Sequence, residues 1–244
     1  VINIAQITKS YTGSETPALK EISFSINRGE TVAILGENGA GKTTLLRIIS
    51  TILKPTAGTC TVNGFDVLKE PQKVKASIGI LLGSETGLYD RLTARENIEY
   101  FAKLHGIDKK VYTAELEKLS DLMNMTSWLN KKADKLSRGM KQKTALARAV
   151  IHRPPVLILD EPTTGLDVTS TSVFHRFMEN YKSEGGTLIF SSHTISEVEK
   201  IADRVIIISD EQIRENGTVA ELTEKHSAPL ENLFRKIIGM DNEI

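Results

Sequence analysis

Hydrophobic positions along the chain change period several times, and each change marks an element. Near the N-terminus Ile2, Ile4 and Gln6 alternate with their neighbours, and Ile22, Phe24 and Ile26 alternate with polar residues before the Asn27-Arg28-Gly29-Glu30 turn. Side chains alternate between the two faces of a strand, so both stretches predict half-buried strands. Thr31–Leu35, Ser77–Leu82, Val156–Leu159 and Val205–Ile208 are continuous apolar runs. That pattern predicts strands buried on both faces. Gly58–Gly64 reads as another short strand ending in a hairpin turn, Thr187–Ser191 as a further strand, and a pair of strands flanks Asp210.

Helical spacing takes over elsewhere. Leu45, Leu46, Ile48, Ile49 and Ile52 recur on one face, and Thr93 with Glu96 forms a capping box ahead of Ile98, Phe101 and Ala102. Such a box satisfies two free N–H groups at a helix start. Residues 111–123 continue with Leu116, Leu119 and Leu122, and a helix over 140–153 follows. Val173, Phe174, Phe177, Met178 and Tyr181 share a face of a helix over 168–182; shorter helices are predicted over 195–201 and between Pro229 and Gly239.

Strands alternating with helices predict an α/β fold with a mostly parallel sheet. An antiparallel β subdomain precedes it, and a helical subdomain is inserted, because Thr93 to Arg153 carries almost no strand signal. The predicted division is one domain over 1–239, with a β-rich α/β core over 1–82 and 154–218, a helical subdomain over 86–153, and a tail at 240–244. No repeat or low-complexity segment interrupts it.

Composition narrows the function classes. Of the 244 residues, 31 are basic and 31 acidic, so net charge is zero and no global footprint for nucleic acid exists. No nucleic-acid partner is expected. Lys109, Lys110, Lys131 and Lys132 read as solvated faces. Cys60 is the single cysteine. It offers neither a disulfide nor zinc spacing, and points to a reducing compartment. No stretch reaches the roughly 18 apolar residues of a membrane span, and the N-terminus lacks a basic-then-apolar signal pattern. The expectation is a soluble, cytoplasmic protein.

Candidate chemistry starts at Gly36-Glu37-Asn38-Gly39-Ala40-Gly41-Lys42-Thr43-Thr44, between an apolar strand and a helix. The spacing fits the phosphate loop G-x-x-x-x-G-K-[ST]. Its glycines let backbone N–H groups converge on phosphate oxygens at a helix N-terminus. Lys42 reaches the β- and γ-phosphates in such a loop, and the Thr43 hydroxyl ligates Mg²⁺. A plain Gly-rich turn does not require the strand, motif and helix to be in register. Asp160 and Glu161 end another apolar strand. A carboxylate there lies where ligands bind in parallel sheets. Asp160 is the expected partner of Thr43 on Mg²⁺, through a water. Glu161, held extended by Pro162, is the expected general base on water. Ser137 and Gly139, in Leu136-Ser137-Arg138-Gly139-Met140, open a helix, either as a plain cap or as a second phosphate binder. Tyr11 either packs a turn or offers a face to adenine.

With these motifs in this order, the chain resembles the ATP-binding subunits of ABC transporters along nearly its whole length. Leu136–Met140 is similar to that family's Leu-Ser-Gly-Gly-Gln signature, some twenty residues before the Asp-Glu strand. The resemblance implies ATP hydrolysis with Mg²⁺ and head-to-tail packing of two copies, each ATP lying between one copy's phosphate loop and the other's signature. Ser137 and Gly139 then contact the γ-phosphate held by the second copy. It implies that Thr164-Gly165-Leu166-Asp167 is the D-loop linking the two sites, that His193 is the switch histidine on the γ-phosphate, and that Tyr11 stacks on adenine. It further implies a separate transmembrane permease. The chain would then be peripheral on the inner face of the cell membrane, docked through the loop 83–92 and the helical insert.

Two departures from the family's pattern matter. Arg138 stands where glycine is usual, leaving Ser137 and Gly139 intact. Gly83 occupies the place of the glutamine expected after the Ile78–Leu82 strand, with Ser84 and Glu85 as candidates to replace it. The run Gly83–Glu96, together with the overlapping Thr86–Asn97, resembles the bacterial subgroup containing sodium-extruding subunits, which implies export. The alternative reading is a soluble ABC-type ATPase for iron–sulfur cluster or other scaffold assembly.

Overall fold

In the computed structural model, which describes residues 1–83 and 87–239, the strands assemble into two sheets. The first is antiparallel, in the order β2 (Leu19–Ile26), β1 (Ile2–Lys9), β4 (Ala57–Val62), β5 (Phe65–Asp66). The second has six strands, in the order β10 (Gln212–Gly217), β9 (Arg204–Ser209), β3 (Thr31–Leu35), β8 (Thr187–Ser192), β7 (Val156–Asp160), β6 (Ile78–Leu82). All its pairings are parallel except the β9–β10 edge.

The continuous apolar runs are explained by burial on both faces of this second sheet. Val32, Ile34, Ile158, Ile189 and Ile206 face the antiparallel sheet and helix α1 (Lys42–Ile49), which lie together on one side. Ala33, Leu35, Leu157, Leu159, Phe190 and Ile207 face the other side. There they meet α5 (Arg138–Val150), α6 (Val168–Ser183) and α7 (Ile195–Ile201). The insert between β6 and β7 also carries α3 (Ala94–Leu104) and α4 (Lys109–Leu122). The Thr93–Glu96 box is formed: Thr93 Oγ1 accepts from the Glu96 N–H at 3.1 Å, and Glu96 Oε2 accepts from the Thr93 N–H at 2.8 Å.

Local differences from the pattern have physical causes. Gln6 is exposed at φ +54°, the register with β2 and β4 shifts around it, and Ile7 takes the core position instead. A β-bulge inserts one residue and so reverses the alternation beyond it. α1 ends at Ile49, and Ile52, beyond the left-handed Thr51, is 55% exposed rather than part of the buried stripe. Two short helices escaped the periodicity: α2 (Pro71–Ala76) and α8 (Val219–His226) bury one residue each, Val74 and Leu222, too little to make a stripe. α9 (Leu230–Ile237) completes the chain, and residues 240–244 lie outside the described residues. Among the described residues no helix is long and apolar enough to cross a membrane.

Candidate functional site

Because β8 lies between β3 and β7, the carboxyl ends of three strands open at one edge of the sheet. β3 delivers Gly36 and the phosphate loop, β7 delivers Asp160 and Glu161, and β8 delivers Ser191 and Ser192, followed by His193. Ligands bind at such carboxyl ends in open α/β sheets.

The loop itself is shaped by close approach. Gly41, at φ +96°, caps α1, and a Cβ there would stand 2.5 Å from the Ala18 carbonyl and 2.6 Å from Leu19 Cδ2. A Cβ on Gly36 would stand 2.6 Å from the Ile208 carbonyl. No side chain caps α1, so its first N–H groups are left for an anion. Lys42 folds back under the loop, donating from Nζ to Gly36 O at 2.7 Å and Glu37 O at 2.9 Å. It is buried, with Glu161 Oε1 3.7 Å away. Burial pulls its ammonium below the usual lysine range, opposed by the charges of Glu161 and Asp160.

Asp160 is 3% exposed and accepts two hydroxyl bonds, from Thr43 Oγ1 at 2.8 Å and from Ser191 Oγ at 2.6 Å. One hydroxyl and one carboxylate, both hard oxygen donors, fit Mg²⁺, which keeps most of its waters and takes phosphate oxygens as further ligands. No cluster of three or more acidic, His or Cys groups competes for a metal among the described residues.

Glu161 is not extended. Its φ is +47°, because the chain must turn sharply at the end of β7. The turn is held by Ser191, whose O and Oγ accept from the Glu161 N–H at 3.2 and 2.9 Å. The carboxylate faces Lys42, accepts from Thr164 Oγ1 at 3.2 Å, and lies 3.5 Å from His193 Nδ1. His193 remains about half exposed. A cleft of about 510 Å³ adjoins this edge, lined in part by Gly36, Asn38, His193 and Phe234 of α9. A separate cleft of about 410 Å³ opens among Pro154, Pro155 and Gly186, at the amino ends of β7 and β8, and contains none of these groups.

Lys42, Thr43, Asp160, Glu161 and His193 therefore converge, with Gly36, Asn38, Gly39, Ala40 and Thr44 in the same loop and helix start. Tyr11 joins them at the rim: its hydroxyl is 3.3 Å from Thr44 Oγ1, its ring is partly exposed, and Lys9 Nζ lies 5.2 Å from the ring centroid. Ser137 and Gly139 stand apart. Ser137 is an exposed cap accepting from the Met140 N–H at 3.3 Å, and Gly139 packs against Ser170. No hydrogen bond or ion pair among the described residues joins either to the phosphate loop. Gly83 has φ +67° and open space where a Cβ would be; Ser84 and Glu85 lie outside the described residues.

Sequence reasoning missed what holds these groups in place. Glu197, buried on α7, accepts from Thr163 Oγ1 at 2.8 Å and Ser192 Oγ at 2.7 Å, and lies 3.0 Å from His175 Nε2. Burial works against its charge. The bonds from His175, Ser192 and Thr163 outweigh that and keep its carboxyl below the usual glutamate range. Its only sequence signal is a carboxylate on the apolar side of a short helix.

A family model described as ABC transporter matches residues 19–164, and the chain is 46% identical over 218 residues to "ABC transporter ATP-binding protein NatA" of Bacillus subtilis, covering 89% of each. The chain belongs to the ABC transporter family. It is an ATP-binding subunit and an ATPase of that family. The "Doxorubicin resistance ATP-binding protein DrrA" of Mycobacterium tuberculosis is 32% identical over 235 residues, 96% of this chain and 70% of that one. The solved "Structure of ATP binding subunit of ABC transporter" superposes on this ATPase with a TM-score of 0.89 at 26% identity, covering 97% of this chain and 99% of that one. A dimeric post-hydrolysis state of the ATP-binding cassette MJ0796, bound to ADP and Pi, matches with a TM-score of 0.81 at 26% identity, covering 89% and 98%. A second model, described as an AAA domain, putative AbiEii toxin, Type IV TA system, matches residues 130–199.

Proposed function

We propose that this ATPase powers a separate membrane-spanning permease, as an exporter, with two copies closing head to tail on ATP. The convergence of Lys42, Thr43, Asp160, Glu161 and His193 at the carboxyl ends of three adjoining strands carries the chemical part of the reading. In it, the loop from Gly36 to Thr44 cradles the phosphates and Tyr11 stacks on adenine. Thr43 and Asp160 hold Mg²⁺, which when bound neutralises charge on the β- and γ-phosphates. Glu161 takes a proton from the attacking water, and Lys42 and His193 stabilise charge on the γ-phosphoryl oxygens. Ser137 and Gly139, which make no hydrogen bond or ion pair with their own phosphate loop among the described residues, act on the nucleotide held by the second copy.

The permease reading is supported by an exposed apolar patch on the insert. Tyr89 and Tyr100 meet edge-on at 5.4 Å between ring centroids, and Leu104 beside them is 62% exposed. Large contiguous apolar patches mark docking surfaces, and these exposed side chains are where the reading places one. This face, with the loop from Gly87 to Leu92, is the proposed contact with the permease, and would hold the subunit at the inner face of the membrane. Na⁺ as the exported ion rests on the resemblance of Thr86–Asn97 to sodium-extruding subunits. The division into an α/β core and a helical subdomain over 86–153 follows the same logic: one part hydrolyses, the other docks.

Glu161→Gln tests the chemistry: turnover is expected to fall about 10²–10⁴-fold with ATP binding retained, and unchanged turnover removes Glu161 as the base. Isolation of the tagged native protein from gently solubilised membranes tests the partner. A stoichiometric multi-spanning protein supports the transporter reading. Recovery from the soluble fraction alone, or with a scaffold protein, replaces it.

A further inference from the structure

We propose that Arg138 is a positioning residue that ties the signature turn to Glu161 through Thr164. Arg138 is the first residue of α5, and its Nη2 donates to the Thr164 carbonyl at 2.9 Å. The guanidinium lies flat on Gly165: a Cβ built there would stand 2.7 Å from Cζ and from both Nη atoms. Gly165, at φ +72°, lets the plane come that close. Thr164 continues the chain of bonds. Its N–H donates to Glu161 O at 3.2 Å and its Oγ1 donates to Glu161 Oε2 at 3.2 Å. One helical turn further along α5, Gln142 Nε2 approaches Pro162 O at 3.5 Å, so two side chains of one helix face hold the same turn.

The consequence rests on the proposed roles of Ser137, Gly139 and Glu161. Arg138 sits between the two signature residues that act on the second copy's nucleotide, yet its own side chain grips the segment that aims Glu161 at this copy's nucleotide. A small rotation of α5 at one site is therefore passed, through two hydrogen bonds, to the carboxylate of the other. The contact is made to a main-chain carbonyl with a side chain that glycine lacks, so it is specific to the residue at position 138.

The test uses the full-length chain with Arg138→Ala, Arg138→Lys, Thr164→Val and the Arg138→Ala/Thr164→Val double variant, measuring steady-state ATP turnover and trinitrophenyl-ATP binding. Arg138→Ala is expected to lower kcat about tenfold with Kd changed less than about twofold, Arg138→Lys to restore at least about half of kcat, and the double variant to lose no more than the worse single one. Full kcat in Arg138→Ala, a loss mirrored in Kd, or multiplied losses in the double variant each overturn the inference. Glu161→Gln is assayed alongside. Full turnover there sinks the base and this inference together; loss there with full turnover in Arg138→Ala sinks the inference alone.

Discussion

Thr43 and Asp160, 117 residues apart in the chain, are joined by a 2.8 Å hydrogen bond from the Thr43 hydroxyl to Asp160 Oδ2. The bond links the start of α1 to the end of β7 and brings the two proposed Mg²⁺ ligands together. Asp160→Asn keeps the shape but removes the charge that a divalent cation requires. ATP turnover is expected to fall at least about 100-fold, and added Mg²⁺ is expected not to restore it. A steady-state assay across a Mg²⁺ titration reads this directly.

Lys42 makes two bonds to loop carbonyls and faces Glu161, so its loss removes a cation and two donors. Charge-assisted hydrogen bonds are worth about 1.5–3 kcal/mol each. Loss of one such bond to a phosphate corresponds to about 10–100-fold. Lys42→Ala is therefore expected to weaken nucleotide binding by about that factor, measured by equilibrium binding of a fluorescent ATP analogue.

Gly41→Ala fails for a different reason. At φ +96° the new Cβ meets the Ala18 carbonyl at 2.5 Å, a backbone atom that cannot swing aside. Left-handed strain and overpacking each cost about 1–3 kcal/mol. A fall of about 2–5 kcal/mol in urea-unfolding stability is expected, together with loss of ATP binding.

Glu197 holds Thr163, Ser192 and His175 from the interior. Glu197→Ala strands all three and is expected to destabilise the fold by about 2–4 kcal/mol. Turnover should fall too, because Thr163 and Ser192 adjoin the segments carrying Glu161 and His193. Since the folded carboxyl titrates below its usual range, the contribution of Glu197 is present above the unfolded value and lost as pH falls through the folded one. Urea midpoints of parent and variant should converge toward acid pH.

His152 acts in a neighbouring range. It stacks on His105 at 3.8 Å and bonds Ile78 O through Nε2 at 3.0 Å. Burial, with the neighbouring His105 adding to it, takes its pKa from 6.5 to about 4. The unfolded chain therefore holds a proton that the folded one refuses between these values, and stability falls as pH drops through that window. His152→Gln is expected to flatten the dependence of melting temperature on pH between about 6.5 and 4, measured by calorimetry.

Much of this was legible in the chain because it is local. The phosphate loop needs its glycines at set offsets, since backbone approach and positive φ are demanded residue by residue. The continuous runs Thr31–Leu35 and Val156–Leu159 could only be strands covered on both sides, and they are. Gln6 and Ile52 were misread for reasons a pattern does not contain: a bulge at Gln6 and a left-handed Thr51 end the expected period.

By itself, the sequence determined most of the strands and helices, and which side chains are candidates for the chemistry of nucleotide binding. Spacing between neighbours in the chain decides both. Only the tertiary structure decided that β8 lies between β3 and β7, which brings Lys42, Asp160, Glu161 and His193 to one edge. It also turned Glu161 out of the extended conformation, set Glu197 beneath Thr163 and Ser192, and laid Arg138 across Gly165. Strand order and buried hydrogen bonds depend on partners far apart in the chain, and hydrophobic periodicity records only that a residue is buried, not against what.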